Sequence, residues 1–437
     1  MYLSLSFILY SLYVFYKTKD LSVSFVLLFL LFSLVSTVIV IFPNVRLFPI
    51  QNAIFLIYTA FFCIYKKSKY LVRFKIYVLL FAFLYFVILL LGVQKFSYSM
   101  LSAGVVEIAS KCVIIFVVGL IVSKEQIRQL IKYFTPVLLF ILLYGVITYF
   151  FKSNPLSFLA TAGSSFEANG FVLNSGGVSG EERFGLTSRI MCFSDHPLSW
   201  GAITFSMLIL YFYIFKRKIL PSYLSISVCV LCFINLFFTG CRSALLSFVA
   251  AVVLYLFFQK HYKYLLALFI LSFVIFVFNY DSVINTNDEV SGSSLEMRTD
   301  QMLSALDLFR GSTRALLFGM GNLWISDFLS KYGTHPDLLG FESILLHGVV
   351  SLGIIGCVCY TCGSFLYLFS FCKTSISKSF SLSFFLLLLV TGYYGLYTYF
   401  FALSIILRCD YILFQEDSKK LFNKIIMSNK IAEIKNE

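Results

Sequence analysis

The stretch VLCFINLFFTGCRSALLSFVAAVVLYLFF (residues 230–258) is two oily runs joined by TGCRS, with a single charge, Arg242, at the joint. A helix needs about 18 or more apolar residues to cross roughly 30 Å of hydrocarbon. Runs of that kind recur from end to end of the 437 residues. The chain is 60% hydrophobic and only 13% charged, with 52 Phe and 28 Tyr, more than a soluble core could use. The composition therefore specifies a polytopic membrane protein, with no room for a separate soluble domain between the apolar runs.

Spans are expected near 2–16, 21–42, 47–65, 76–93, 101–123, 133–151, 196–215, 219–239, 243–258, 263–279 and 342–369. The stretch 379–414 is too long for one span and is interrupted by TGYYG, so it reads as a broken helix or a short hairpin. The fold class is all-α, a single polytopic bundle over residues 1–437 with about 12–13 transmembrane helices. The first span lacks a basic leading region and a small-residue cleavage site, so it is expected to stay in place.

The formal net charge of +13 could suggest nucleic acid, but its placement argues for topology instead. Most of the Lys and Arg fall in the short connections 17–20, 66–75, 124–132, 216–218, 259–263 and 370–378 and in the tail 415–437. These connections occur on every second turn of the chain, which marks them as cytoplasmic and puts the amino terminus outside. The eleven cysteines lie mostly within apolar runs and read as small buried hydrophobes. Cys357, Cys359 and Cys362 cluster in IIGCVCYTCGSF, but without a partner His or Cys pair they read as packing, not as a metal site.

Two connections are long and fall on the outer side, 152–195 and 280–341, and function is expected there. The first ends in ERFGLTSRIMCFSDHPLSWG (182–201), which brings Glu182, Arg183, Arg189, Asp195 and His196 close to the membrane. The second contains SSLEMRTDQMLSALDLF (293–309), whose Ser293–Glu296 capping box and apolar stripe predict an amphipathic helix ended by Gly311. Its polar face carries Arg298. The Gly-x-Gly of LLFGMGN (316–322) lacks the strand, spacing and acidic residue of a dinucleotide fold. In KYGTHPDLLGFESILLHG, Pro336 suits the first turn of a helix and leaves His335 at the helix start. The positive end of the helix dipole there would keep the imidazole neutral and able to accept a proton. Glu342 lies seven residues on, along the same face. Glu107 and Lys111, four apart inside a span, are expected to pair.

Each charge also has an ordinary reading. Arg242 could snorkel to water, Arg298 could pair with its acidic neighbours, Arg183 and Arg189 could balance Glu181 and Glu182, and Glu342 could answer a helix dipole. The Arg242 turn has more to it, because Gly240 can stop the preceding helix and Ser243 can cap the next. A cation beside a helix amino terminus is an anion site. Guanidinium binds phosphate bidentately and stays charged, and no Asp-x-Asp pair is present to hold a metal-bound nucleotide sugar. A lipid diphosphate neutralised by arginine fits this set.

From about residue 180 to 360, three stretches in order resemble the bacterial O-antigen polymerase and O-antigen ligase superfamily. They are RFGLTSRIMCFSDHPLSWG, TGCRSALLSF, and the segment from MRTDQMLSALDLF through FGMGN to THPDLLGFESILLHGVVSLGIIG. Cys241 stands where the family usually has serine, and Pro336 where it has asparagine; the latter favours a polymerase. The resemblance implies a metal-independent, inverting glycosyltransferase of the membrane-embedded C type, without a cofactor, in the bacterial inner membrane with its active face outside. Its partners would be undecaprenyl-diphosphate-linked donor and acceptor, membrane lipid and a chain-length regulator protein, with no nucleic acid. Carried over by residue, Arg183, Arg242 and Arg298, with Arg189 nearby, would hold the diphosphate. Arg298 would stabilise the leaving charge, and His335 or Glu342 would take the proton of the attacking hydroxyl. A ligase acting on lipid A core is the near alternative, and a lipid-linked oligosaccharide flippase the alternative from another class.

Overall fold

The structure, a computed structural model, describes residues 2–34, 40–42, 45–46, 69–95, 97–101, 104, 119–155, 189–194, 197–267, 303, 307–325, 343–391 and 398–414. The spans expected at 47–65 and over most of 101–123, the Glu107–Lys111 pair and most of the amphipathic segment 293–309 lie outside these residues.

The described chain is helical apart from one short antiparallel pair. Helices α1 (Tyr2–Thr18) and α2 (Leu21–Ser33) form a hairpin. Strands β1 (Val40–Phe42) and β2 (Val45–Arg46) follow. The expected span 21–42 is thus corrected: its helix ends at Ser33, and the β-branched end of the run, Val40 to Phe42, is extended instead. Next come α3 (Lys69–Leu91), α4 (Lys124–Phe151), α5 (Pro197–Lys216), α6 (Ser222–Phe238) and α7 (Arg242–Phe258). The short α8 (Thr313–Phe318) precedes α9 (Ile344–Gly356), which continues through a π-helical turn (Cys357–Cys362) into α10 (Gly363–Ser370). Helix α11 (Ser375–Thr391) and α12 (398–414) complete the chain.

Among the described residues three helices are long and apolar enough to cross a membrane: Lys124–Phe151, Pro197–Lys216 and the continuous Ile344–Ser370. Shorter apolar helices accompany them. With the family evidence below, they make this a multi-pass membrane protein. Helix α5 is the central post. Its most apolar window is 83% buried, against 44% for α4, and Trp200, Phe205, Tyr211 and Tyr213 on it are inaccessible. A helix that is apolar all round belongs in the middle of a bundle; α4 keeps Phe140, Leu143, Ile147 and Phe150 outward, as a lipid-facing helix does.

The short basic connections meet at one end of the bundle. Asp20 caps α2 through the amides of Ser22 and Val23, and its other carboxylate oxygen accepts from Gln126 Nε2 at 2.6 Å. Gln126 itself completes the capping box of α4 with Ser123. At the same end Asp410 of α12 accepts from Arg217 (2.8 Å), Tyr213 Oη (2.7 Å) and Thr374 Oγ1 (2.9 Å), which joins the 216–218 and 371–374 connections. Gln259 reaches Ser375. Because Asp410 sits beside Thr374, α12 runs antiparallel to α11, with Tyr399 stacked on Phe384 at 4.0 Å. The stretch 379–414 is therefore a hairpin that returns to the side it left.

Helix α9 is interrupted. Gly353 has φ 70° and ψ −179°, and a kink divides the helix there. The carbonyls of Val350 and Ser351, just before the kink, accept from the amides of Met320 (2.8 Å) and Gly321 (3.0 Å). The same segment accepts in the other direction: Val93 N–H donates to Gly319 and Gln94 N–H to Met320, both at 3.0 Å. Residues 319–321 are thus a rung laid between the end of α3 and the break in α9. Irregular backbone among apolar helices is tolerated where other protein backbone pairs it, as here.

Candidate diphosphate-binding site

At the opposite end from the basic connections, α6 ends at Phe238, and its C-cap Thr239 donates its hydroxyl back to Leu236 O at 2.6 Å. Gly240 follows at φ 61°, the left-handed conformation that glycine adopts without strain and that stops a helix. Cys241 is the N-cap of α7 and Arg242 its first residue. The expectation for Gly240 holds and that for Ser243 does not. Ser243 is already inside α7, its hydroxyl 3.2 Å from Cys241 Sγ, and the Cys241 side chain makes no capping hydrogen bond to the helix amides. The reason is one of register: with Gly240 ending α6, the next helix begins at Arg242, two residues earlier than a Ser243 cap would start it. The amino terminus of α7 is left with a thiol, a weak acceptor, where a hydroxyl normally sits.

Arg189 is the best-buried charge of the described chain, 1% exposed. Its Nε–H donates to Thr239 O at 2.8 Å, and the neighbouring Ile190 N–H donates to Phe238 O at 3.1 Å. The end of the first long loop therefore grips the last carbonyls of α6, three residues before Arg242. The structure brings Arg189 and the Arg242 turn together, and Arg242 itself is half-buried. Arg183, Arg298, His335 and Glu342 lie outside the described residues, as do Asp195 and His196.

Beneath the turn is a layer of buried polar groups that the sequence reading did not single out. Asn235 on α6 accepts from Trp200 Nε1 (3.2 Å) and donates to Leu142 O and Leu231 O (both 2.9 Å). It packs so closely on Gly145 of α4 that a β-carbon there would collide with its Oδ1. Asn154, after α4, accepts from Tyr144 Oη (2.6 Å) and donates to Cys192 O (2.8 Å), tying down the loop that carries Arg189. Cys192 is itself buried, and burial pushes its thiol well above the usual range. The ring of Tyr149 lies flat on Phe238 at 4.0 Å. The signal for this layer was present: a lone amide such as Asn235 in an oily span calls for a partner. What one chain segment cannot reveal is which helix supplies it.

Chemically, one arginine in the first turn of a helix and a second, buried one bonded to Thr239 O, three residues before it, bring two cations to one inter-helix turn. Such a place suits a phosphate oxygen. No curated protein and no solved structure matched the chain. A family comparison did: residues 227–361 match the family model described as O-antigen ligase. The matched part is under a third of the chain and runs from α6 through the Arg242 turn to the π-helical turn after α9. Over residues 227–361, then, this chain is similar to the family described as O-antigen ligase.

Proposed function

We propose that this chain is a polysaccharide polymerase of the O-antigen type. It would join undecaprenyl-diphosphate-linked repeat units on the outer face of the bacterial inner membrane, by metal-independent, inverting transfer. The observation that carries the reading is Arg242 at the first turn of α7, inside the family-matched segment, with buried Arg189 anchored to Thr239. In the reaction a hydroxyl of the acceptor glycan attacks the anomeric carbon of the donor, and the bond from that carbon to the lipid diphosphate breaks. Arg242, with Arg183, Arg189 and Arg298, receives the charge that develops on the diphosphate. His335, or Glu342 in its place, accepts the hydroxyl proton.

A ligase reading keeps the same donor chemistry and changes only the acceptor, to lipid A core. The family model that matches residues 227–361 is described by that activity. The test is purified protein given a lipid-diphosphate-linked repeat. A ladder of longer glycans supports the polymerase; product only on lipid A core supports the ligase; labelled lipid that crosses a bilayer without elongation supports the flippase. Arg242→Ala and Arg298→Ala are expected to lower turnover by about 100-fold or more, in the range seen when one transition-state charge donor is removed, with the protein still inserted. An undiminished ladder in both variants would sink the arginine cradle.

A further inference from the structure

The basic end of the bundle holds a feature that topology alone does not require. Two of its turns close with the same backbone hydrogen bonds. Lys218 N–H donates to Phe215 O and Ile219 N–H to Ile214 O, both at 3.1 Å; Lys260 N–H donates to Phe257 O and His261 N–H to Leu256 O, both at 2.9 Å. In such a helix end one residue takes the left-handed conformation, and glycine is usual there because it has no β-carbon to clash. Here that residue is lysine: Lys218 has φ 51° and Lys260 φ 60°, and Lys19, between α1 and α2, has φ 55°. The positive-inside pattern asks only for cations somewhere near the span ends. It gives no reason to seat them on the one residue of each turn that a lysine occupies under strain. Lys152, at the other end of the bundle, is built the same way with φ 49°, so that pattern is not the cause. The strain needs an interaction to offset it, and no side chain of the described residues supplies one. Lys218 and Lys260 are exposed, and their ammonium groups meet no acid and no ring among the described residues.

The surroundings indicate what does. Hydrogen bonds tie the connections 216–218, 259–263 and 371–378 into one patch: Asp410 accepts from Arg217 and Thr374, and Gln259 Nε2 donates to Ser375 Oγ at 3.1 Å. The three connections contain no Asp or Glu. Asp410, which faces them from α12, is already engaged by Arg217, Tyr213 and Thr374. The floor of the patch is aromatic. Lys216 Nζ lies 5.7 Å from the centre of the Phe212 ring, Lys378 Nζ lies 5.8 Å from that of Phe258, and Phe212 meets Tyr255 edge-on at 5.6 Å. Cations above, rings at the boundary and apolar helix below form an amphipathic surface. A headgroup phosphate meets the ammonium groups while the acyl chains of the same molecule lie on the rings and helices. A soluble phosphate would use the cations and leave the aromatic floor unused.

We propose that Lys218 and Lys260, with Lys216 and Lys378, bind the phosphate of an anionic phospholipid at the basic end of the bundle. The left-handed turns hold two ammonium groups out at headgroup level, and the bound lipid offsets the strain of those turns. The site is separate from the Arg242 turn and stands whether or not the chain transfers sugars. The test is thermal unfolding of full-length protein in nanodiscs of phosphatidylcholine alone and of phosphatidylcholine mixed with phosphatidylglycerol. The anionic lipid is expected to raise the unfolding temperature by about 5 °C or more, on the scale of a few lysines each meeting an anionic surface. The double variant Lys218→Gly, Lys260→Gly is expected to lose about half of that rise or more. In phosphatidylcholine alone it should unfold no lower than the native protein, since glycine relieves both turns. If this variant does not accumulate in membranes, Lys216→Gln with Lys378→Gln leaves both turns untouched and is read by the same loss of the rise. No rise in the native protein overturns the proposal, and so does a rise undiminished in the variants. A lower unfolding temperature for the glycine variant in neutral lipid would show the lysines answering the helix dipoles instead, and overturns it too. Inorganic phosphate that reproduces the rise in neutral nanodiscs overturns the lipid as the occupant.

Discussion

Asn235 makes contact with three helices at once: its own, α4 through Leu142 O and Gly145, and α5 through Trp200. An apolar surrounding offers no substitute partner, so Asn235→Ala leaves the Trp200 N–H without an acceptor. The cost of such an orphaned buried group is about 1–3 kcal/mol. The expected outcome is a lower unfolding temperature in detergent, measured by a thermal-shift scan. Gly145→Ala should reproduce it by displacing the Asn235 amide, and the double variant should cost less than the sum of the two, since both act on one contact. At Arg242 the expectation concerns geometry more than charge. Arg242→Lys keeps the cation but not the planar fork, so turnover should fall between that of the native protein and that of Arg242→Ala; equal loss in Lys and Ala variants would show that bidentate contact is everything.

At the scale of elements, the α6–α7 turn was largely legible beforehand. Gly240 and Arg242 stand between two apolar runs, and local chain chemistry dictates where one helix stops. Ser243 falls inside α7 because the turn at Gly240 starts the helix at Arg242, with Cys241 close against Gly201 on α5. The break in α9 was not legible at all. Gly353 is one of several glycines in an apolar run, and nothing in the Gly-x-Gly of 319–321 points to it as a partner. Each explains the other, but they are 34 residues apart and meet through backbone atoms, which leave no periodicity in a sequence. Similarly, Asp410 on α12 holds Arg217, Tyr213 and Thr374 from three places along the chain. Asp410→Ala removes the acceptor from all three donors. A loss of about 1–3 kcal/mol is expected from unmatched buried donors, again read by thermal unfolding, with Arg217→Ala milder because that side chain is partly exposed.

For the whole molecule, hydrophobic run length and the placement of Lys and Arg carried most of the information. The bundle and the clustering of short basic connections at one end followed from them, because lipid tolerates so few alternatives. The two long loops did not follow, and most of the candidate site is in them. A topological prediction belongs here. Cysteines introduced at Lys124 or Lys218 should react with an impermeant maleimide only in inside-out vesicles, and one introduced at Lys152 only in right-side-out vesicles or intact cells. The opposite pattern would invert the assignment and put the Arg242 turn on the wrong face for a lipid-linked donor.

The π-helical turn after α9 gives experimenters a native reporter. Of its three thiols, Cys357 is buried and Cys362 half-buried, while Cys359 is turned outward, the one exposed cysteine among the described residues. A lipid-soluble fluorophore should therefore attach at Cys359 in the unmutated chain. Six residues from Gly353, such a dye would register any change in the kink as a change in colour or quenching while substrate is turned over.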